Sequence, residues 1–168
     1  VMVGRTLREL GVTRDPQPHC FAVKESVLPF SRFPGVDPIL GPEMKSTGEV
    51  MGVDETFAMA FAKSQIAAGQ PLPSEGAVFV SVKDADKPKV IPVARTFSEL
   101  GFEVLATSGT ASALEAAGIP THHVPKLSEG RPNIVDFIKS REVGLLINTH
   151  SGPVRRRDEV FIRSEAVR

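Results

Sequence analysis

Residues 76–111, GAVFVSVKDADKPKVIPVARTFSELGFEVLATSGTA, decide the fold. Ala77 to Val82 is a short, almost wholly apolar run, the mark of a strand buried on both faces. Lys89 to Leu100 places Val90, Val93, Ala94 and Phe97 at helical spacing, and Gly101 closes that helix. Phe102 to Ala106 is a second apolar strand. Thr107-Ser108-Gly109-Thr110 then reads as a turn, with Ala111 to Ala117 as a helix ended by Gly118. Working outward, Thr121 to Val124 reads as a strand, Ile134 to Ser140 as a short helix and Val143 to Asn148 as a strand. An Arg-rich, helix-compatible segment ends the chain. Strands alternating with helices predict an α/β fold built on a doubly wound, mostly parallel, right-handed sheet flanked by helices.

The first 73 residues carry a different pattern and read as an α+β unit plus linker, with residues 74–168 as the second domain. Val3, Leu7 and Leu10 recur at helical spacing, and Gly11 can stop a helix there. Cys20 to Leu28 suits a strand. Pro29 to Gly48 is punctuated by Pro and Gly and reads as a long ordered loop, which in a compact domain is usually functional or packed on something larger. Glu49 to Val53 suits a short strand. Asp54 is the expected N-cap of a helix running to about Ala68, with Phe57, Ala58, Phe61 and Ala62 on one apolar face. Gly69-Gln70-Pro71-Leu72-Pro73 is the expected linker. The first unit holds too little regular apolar pattern to build a core alone. No strand follows the last helix, so the chain reads as a piece of a longer one, ending before a last strand and helix.

Lys+Arg and Asp+Glu both number 20, so the formal net charge is zero, whereas a nucleic-acid reader usually carries a basic excess. Phe numbers 10 while Trp and Tyr are absent, so the aromatics serve packing rather than a base-stacking platform. Cys20 is the only cysteine. It excludes an intrachain disulfide, leaves no cysteine cluster for zinc and fits a reducing cytoplasm. No apolar run reaches the ~18 residues of a membrane span, and the N-terminus has no signal-peptide pattern. Neither nucleic acid nor membrane is therefore an expected partner.

In an open parallel sheet, ligands bind beyond the carboxyl ends of the strands. Four segments fall there: Ser81-Val82-Lys83 with Lys87; Thr107-Ser108-Gly109-Thr110; Pro125-Lys126; and Asn148-Thr149-His150-Ser151-Gly152. They converge hydroxyls, an amide and lysines on one edge. Gly109 lets the backbone approach closely, and the following helix offers free N–H groups and the positive end of its dipole to an anion. The chemistry suits a phosphate. The bland alternatives are that Ser108 or Thr110 only caps the helix, and that Lys87 and Lys126 are ordinary solvated lysines. His122 and His123 alternate across a strand and lack metal-ligand partners, so they read as surface or packing residues. His150 could donate to a phosphate when protonated. Arg155-Arg156-Arg157 followed by Asp158 and Glu159 reads as a mixed-charge exposed helix. No Ser/His/Asp or Cys/His arrangement, paired carboxylates, P-loop or metal cluster is visible, so no catalytic residue is assigned.

Longer motifs carry a resemblance. Phe30, Phe33-Pro34-Gly35-Val36-Asp37-Pro38 and residues 40–52 (LGPEMKSTGEVMG), with Ala22-Val23-Lys24-Glu25 upstream, closely resemble the end of the second ATP-grasp module of carbamoyl-phosphate synthase large subunits. Ser81-Val82, residues 106–111 (ATSGTA), Glu129-Gly130-Arg131-Pro132 and Ile147-Asn148-Thr149 resemble the methylglyoxal-synthase-like domain of the same subunits. The resemblance implies a parent ligase that makes carbamoyl phosphate for arginine and pyrimidine synthesis. Its substrates are ATP (with Mg or Mn ions), bicarbonate and ammonia, the last supplied from glutamine by a glutaminase small subunit.

It also implies that the second domain is regulatory, binds a nucleotide monophosphate such as UMP or IMP, and helps the large subunits assemble into oligomers. The effector-site positions map to Ser81, Lys87, Thr107, Thr110, Lys126, Asn148 and Thr149. The family's frequent second threonine is His150 here, a departure that bears on which effector binds. Glu25 maps to a position that helps bind ornithine in ornithine-activated members. The resemblance implies no cofactor and no synthase activity for this piece alone. A stand-alone phosphate-binding lyase is the alternative. It would require a buried aspartate beside Thr107–Thr110, and between Thr110 and Lys126 the only carboxylate is Glu115. A pure assembly module without effector binding is the third reading.

Overall fold

The computed structural model describes residues 2–15, 17–33, 38–127, 129–149 and 157–167, with backbone alone for 157–159. Two sheets organise it. The first is an antiparallel pair, β1 (Phe21–Val27) with β2 (Gly48–Asp54), in register from Phe21 opposite Asp54 to Val27 opposite Gly48. The helix α1 (Phe57–Ala67) packs on this ribbon. The second sheet is four-stranded and all parallel: β3 (Ala77–Ser81), β4 (Glu103–Ala106), β5 (His122–His123) and β6 (Val143–Asn148), in the order β5-β4-β3-β6. Its helices are α2 (Lys87–Glu99), α3 (Ser108–Ala116), α4 (Ile134–Lys139) and α5 (Arg157–Ala166). This is the α/β arrangement expected from the alternating pattern.

Strand alternation explains why both sheet faces are apolar. Val78, Val80, Val104 and Ala106 point to one face and pack with Val90 and Ala94 of α2 and Ala111 and Leu114 of α3. Ala77, Phe79 and Leu105 point to the other, against Ile134 and Val135 of α4 and Ile162 of α5. Phe79 is fully buried. The chain adds β4 and β5 on one side of β3 and then returns to place β6 on the other. The strand order therefore reverses between β3 and β6, which is where an open α/β sheet forms its crevice.

Several boundaries move from the sequence expectation. The helix α3 starts at Ser108, so Ser108-Gly109-Thr110 is its first turn and not a preceding loop. Residues 3–10 form no helix, and a hydrogen-bonded turn runs over residues 7–11 instead. Thr6 and Glu9 hydrogen-bond each other's backbone N–H at 3.2 and 2.8 Å, and Gly11 closes the turn at φ 73°. Val3, Leu7 and Leu10 stay exposed, so nothing rewards a longer helix.

The N-cap of α1 is Thr56, which accepts from Met59 N–H, while Asp54 accepts from Thr56 N–H one step earlier. Its Phe57 and Phe61 face solvent and the buried face is Ala60 and Ser64. The reason is Gly52 on β2, which brings the strand so close that a methyl there would overlap the Ala60 carbonyl. Only small residues fit that contact. The two phenylalanines instead lie tilted against each other outside it, and Phe57 also meets Phe21 edge-on.

Candidate functional site

A cleft of about 230 Å³ opens at the carboxyl ends of the parallel strands. Its wall takes Ser81, Val82, Lys83, Asp84 and Lys87 from the β3–α2 connection, and Thr107, Gly109 and Thr110 from the start of α3. Lys126 and Leu127 follow β5, Asn148 and Thr149 end β6, and Ile134 and Ile162 form an apolar side.

Hydrogen bonds between the strand ends fix this rim. Ser81 Oγ and Thr107 Oγ1 lie 3.2 Å apart and tie β3 to β4. Thr110, 2% exposed, accepts from Val82 N–H at 3.3 Å. Thr149 Oγ1 accepts from Lys83 N–H at 3.0 Å, and Thr149 N–H donates to the Ser81 carbonyl at 3.1 Å. Asn148 lies opposite Ser81 in the ladder. Thr107 occupies the N-cap of α3 without making a side-chain cap, because its hydroxyl is turned toward Ser81. Thr110 likewise bonds across to Val82, just past β3, and caps nothing. A capping role alone therefore does not describe these threonines.

The electrostatics suit an anion. The N–H groups of Thr110 and Ala111 both donate to the Thr107 carbonyl, whereas those of Ser108 and Gly109 precede the first helical acceptor. The positive end of the helix dipole adds to them. A methyl on Gly109 would lie 3.2 Å from Lys87 Nζ, so the ammonium sits directly over this helix start. The Lys87 side chain is 24% exposed and its Nζ is 2.7 Å from Asp84 Oδ1. That hydrogen bond, reinforced by the lysine's charge, holds the Asp84 carboxyl below the usual carboxylate range. Lys126 is exposed, with Nζ 3.9 Å from Glu129 Oε1 and its backbone N–H donating to Glu129 Oε2 at 2.9 Å.

The structure thus brings Ser81, Lys87, Thr107, Gly109, Thr110, Lys126, Asn148 and Thr149 onto one wall. Ser108 does not join them. Its position in the first turn of α3 turns the hydroxyl outward, 2.6 Å from His123 Nε2, so an expected phosphate ligand instead pairs with a residue read as a bystander. His122 is exposed, with Nε2 3.5 Å from Glu103 Oε1. His150 and Ser151 lie outside the described residues. Glu115 is exposed on α3, away from the cleft.

Sequence reasoning missed Asp84 and the apolar side formed by Leu127, Ile134 and Ile162. The three-residue spacing of Asp84 and Lys87 was the available signal for the first. The second depends on how α4 and α5 pack and has no local signature.

Glu25 is half-buried on β1 and its Oε2 accepts from Gln65 Nε2 of α1 at 2.9 Å. Gln65 lines a separate cavity of about 1010 Å³, whose wall also holds Val27, Phe30, Leu146 and Arg163. Glu25 reaches that space through Gln65 and does not line it. Among the described residues no group of three or more His, Cys, Asp or Glu could hold a metal ion, and no helix is long and apolar enough to cross a membrane.

The chain is similar to known proteins along nearly all of its length. Residues 89–168 match the family model described as an MGS-like domain. Over 99% of its length the chain is 56% identical to the carbamoyl phosphate synthase large chain of Pseudomonas putida, and 56% identical to that of Myxococcus xanthus. It is 52% identical, again over 99% of its length, to the carbamoyl phosphate synthase large chain, C-terminal section, of Methanopyrus kandleri. The chain spans 16%, 15% and 31% of those three proteins respectively. Similarity this high along the whole sequence, joined to the parallel sheet of the second half, makes the chain a member of the carbamoyl phosphate synthase large-chain family that carries an MGS-like domain.

Proposed function

We propose that this chain is the effector-binding, regulatory region of a carbamoyl phosphate synthase large chain, and that the cleft at the strand ends holds the phosphate of a nucleotide monophosphate. The observation that carries the reading is the placement of Lys87 over the N-terminus of α3, with the Ser81, Thr107 and Thr149 hydroxyls around it. A lysine, two free N–H groups and several hydroxyls at one point are the donors a phosphate requires. The cleft, at about 230 Å³, is smaller than the roughly 300–1,000 Å³ of a typical small-molecule site. Its described part suits the phosphate end of a ligand, with UMP or IMP as the candidate whole.

The same electrostatics argue against a lyase. A general base works best with a pKa near the working pH, whereas Asp84 is exposed and held low by Lys87. The chain on its own carries neither synthase nor lyase activity in this reading. The ATP, its Mg or Mn ions, bicarbonate and ammonia belong to the remainder of the large chain and to a glutaminase subunit. Glu25 with Gln65 would contribute one edge of an ornithine-type site. Calorimetric titration with inorganic phosphate, UMP and IMP tests the proposal. One nucleotide should bind at micromolar to millimolar Kd, and Lys87→Ala should weaken it about tenfold, the size of a lost charge-assisted hydrogen bond. Equal affinity in the variant would remove the cleft as the site.

A further inference from the structure

Each lysine of the cleft is matched by a carboxylate three residues away: Lys87 by Asp84 at 2.7 Å, Lys83 by Asp86 at 3.6 Å and Lys126 by Glu129 at 3.9 Å. Asp84 alone among these acids lines the cleft. Its side chain is 94% exposed, so little besides Lys87 holds it there. Lys87 Nζ is at the same time against Gly109, where an anion bound to the start of α3 would meet it. The carboxylate and an incoming anion therefore address one ammonium.

We propose that Asp84 is a built-in competitor for the phosphate site. In the empty cleft it neutralises Lys87, and a bound phosphate displaces it into solvent. This rests on the reading of the cleft as an anion site and adds a selectivity rule to it. A small carboxylate brings one charge and gains from Lys87 only what Asp84 already supplies. A phosphate monoester carries about −1.5 to −2 charges near neutral pH and three acceptor oxygens. It can replace Asp84 at Lys87 and also engage the N–H groups of α3, which Asp84 does not reach in this structure. Displacement costs no packing, since the Asp84 side chain is solvated already.

Asp84→Asn keeps the size of the side chain and removes its charge. Titrations of the parent chain, Asp84→Asn, Lys87→Ala and the double variant with inorganic phosphate and with acetate test the proposal. Asp84→Asn should bind phosphate about two- to fivefold tighter, the range of an exposed ion pair. The gain should vanish in the Lys87→Ala background, as coupling through that lysine requires. Acetate, which should bind the parent chain weakly, should gain at least as much in relative terms. If the parent chain binds phosphate through Lys87 while Asp84→Asn binds no tighter, the competitor role is wrong and the anion site stands. If neither the parent chain nor Asp84→Asn binds phosphate, the anion-site reading fails and takes this proposal with it.

Discussion

Thr110 concentrates the logic of the site in one side chain. It is 2% exposed in the first turn of α3, and its hydroxyl reaches across to the residue just past β3, accepting from Val82 N–H. Thr110→Val keeps the shape and deletes that acceptor. Losing a hydrogen-bond partner at a half-buried backbone donor costs about 1–2 kcal/mol, which urea unfolding would read as a lower midpoint at unchanged slope. Phosphate affinity should fall as well, because the bond holds the Val82-Lys83 backbone against α3. A variant as stable as the parent would mean that water takes over the Val82 N–H. The cluster of Ser81, Thr107, Thr110 and Thr149 was legible in the sequence because hydroxyl residues followed three apolar runs. What each hydroxyl bonds was not. Ser108 looks like its neighbours on paper, yet its hydroxyl meets His123 outside the cleft. Asp84 was hidden for the opposite reason: an acid is not sought in an anion site.

At the scale of elements, ends were harder to read than interiors. The apolar period fixed α2 and β6 closely, since their buried faces leave one solution: Val90 and Ala94 of α2 meet Val78 and Val104. Helix starts depend on single hydrogen bonds that several nearby residues could make. Asp54 and Thr56 were both able to cap α1; Thr56 does so, while Asp54 turns to Thr56 N–H and the Lys63 ammonium. Among the described residues the clearest cap is at α4. Asn133 Oδ1 accepts from Val135 N–H at 3.1 Å, while Asp136 Oδ2 accepts from Asn133 N–H at 3.0 Å. Asn133 Nδ2 also donates to the Gly130 carbonyl at 2.9 Å, pinning the preceding loop. A helix of 6 residues has little intrinsic stability, so α4 relies on this cap and on the burial of Ile134 and Val135. Asn133→Ala should destabilise the chain by about 1–2 kcal/mol. Because Ile134 is part of the cleft wall, it should also loosen ligand binding. Thermal unfolding in the presence and absence of phosphate separates the two effects. A change below about 0.5 kcal/mol would show that the packing of Ile134 and Val135 alone positions the helix.

The whole molecule is unequal in its halves. In the second, the buried residues run through both faces of the sheet, from Ala77 to Val80 and from Val104 to Ala106, with helices on each side. In the first, the described buried residues are Gly52, Ala60 and Ser64, none with a large apolar side chain. Phe21, Met51, Val53, Phe57, Met59 and Ile66 are exposed there. This inequality was legible as composition, in the scarcity of regular apolar pattern before residue 73. Which residues the first unit would bury was not, because the close approach at Gly52 inverts the expected face of α1. Local stability follows buried apolar contact, and amide exchange reads it segment by segment. Amides of β3 and β4 should exchange only through global opening. Those of β1, β2 and α1 should exchange at least about tenfold faster, because their ribbon opens without disturbing the second sheet. Equal protection in both halves would mean that the cavity lined by Val27, Gln65, Leu146 and Arg163 closes in solution and couples them into one cooperative unit. Saturating phosphate or nucleotide then makes the contrast sharper. A ligand in the cleft stabilises what must open to release it, so protection should rise in β3, β4 and α3 and stay unchanged in β1 and β2. A matching rise in β1 and β2 would instead locate a path by which the cleft communicates with the first unit.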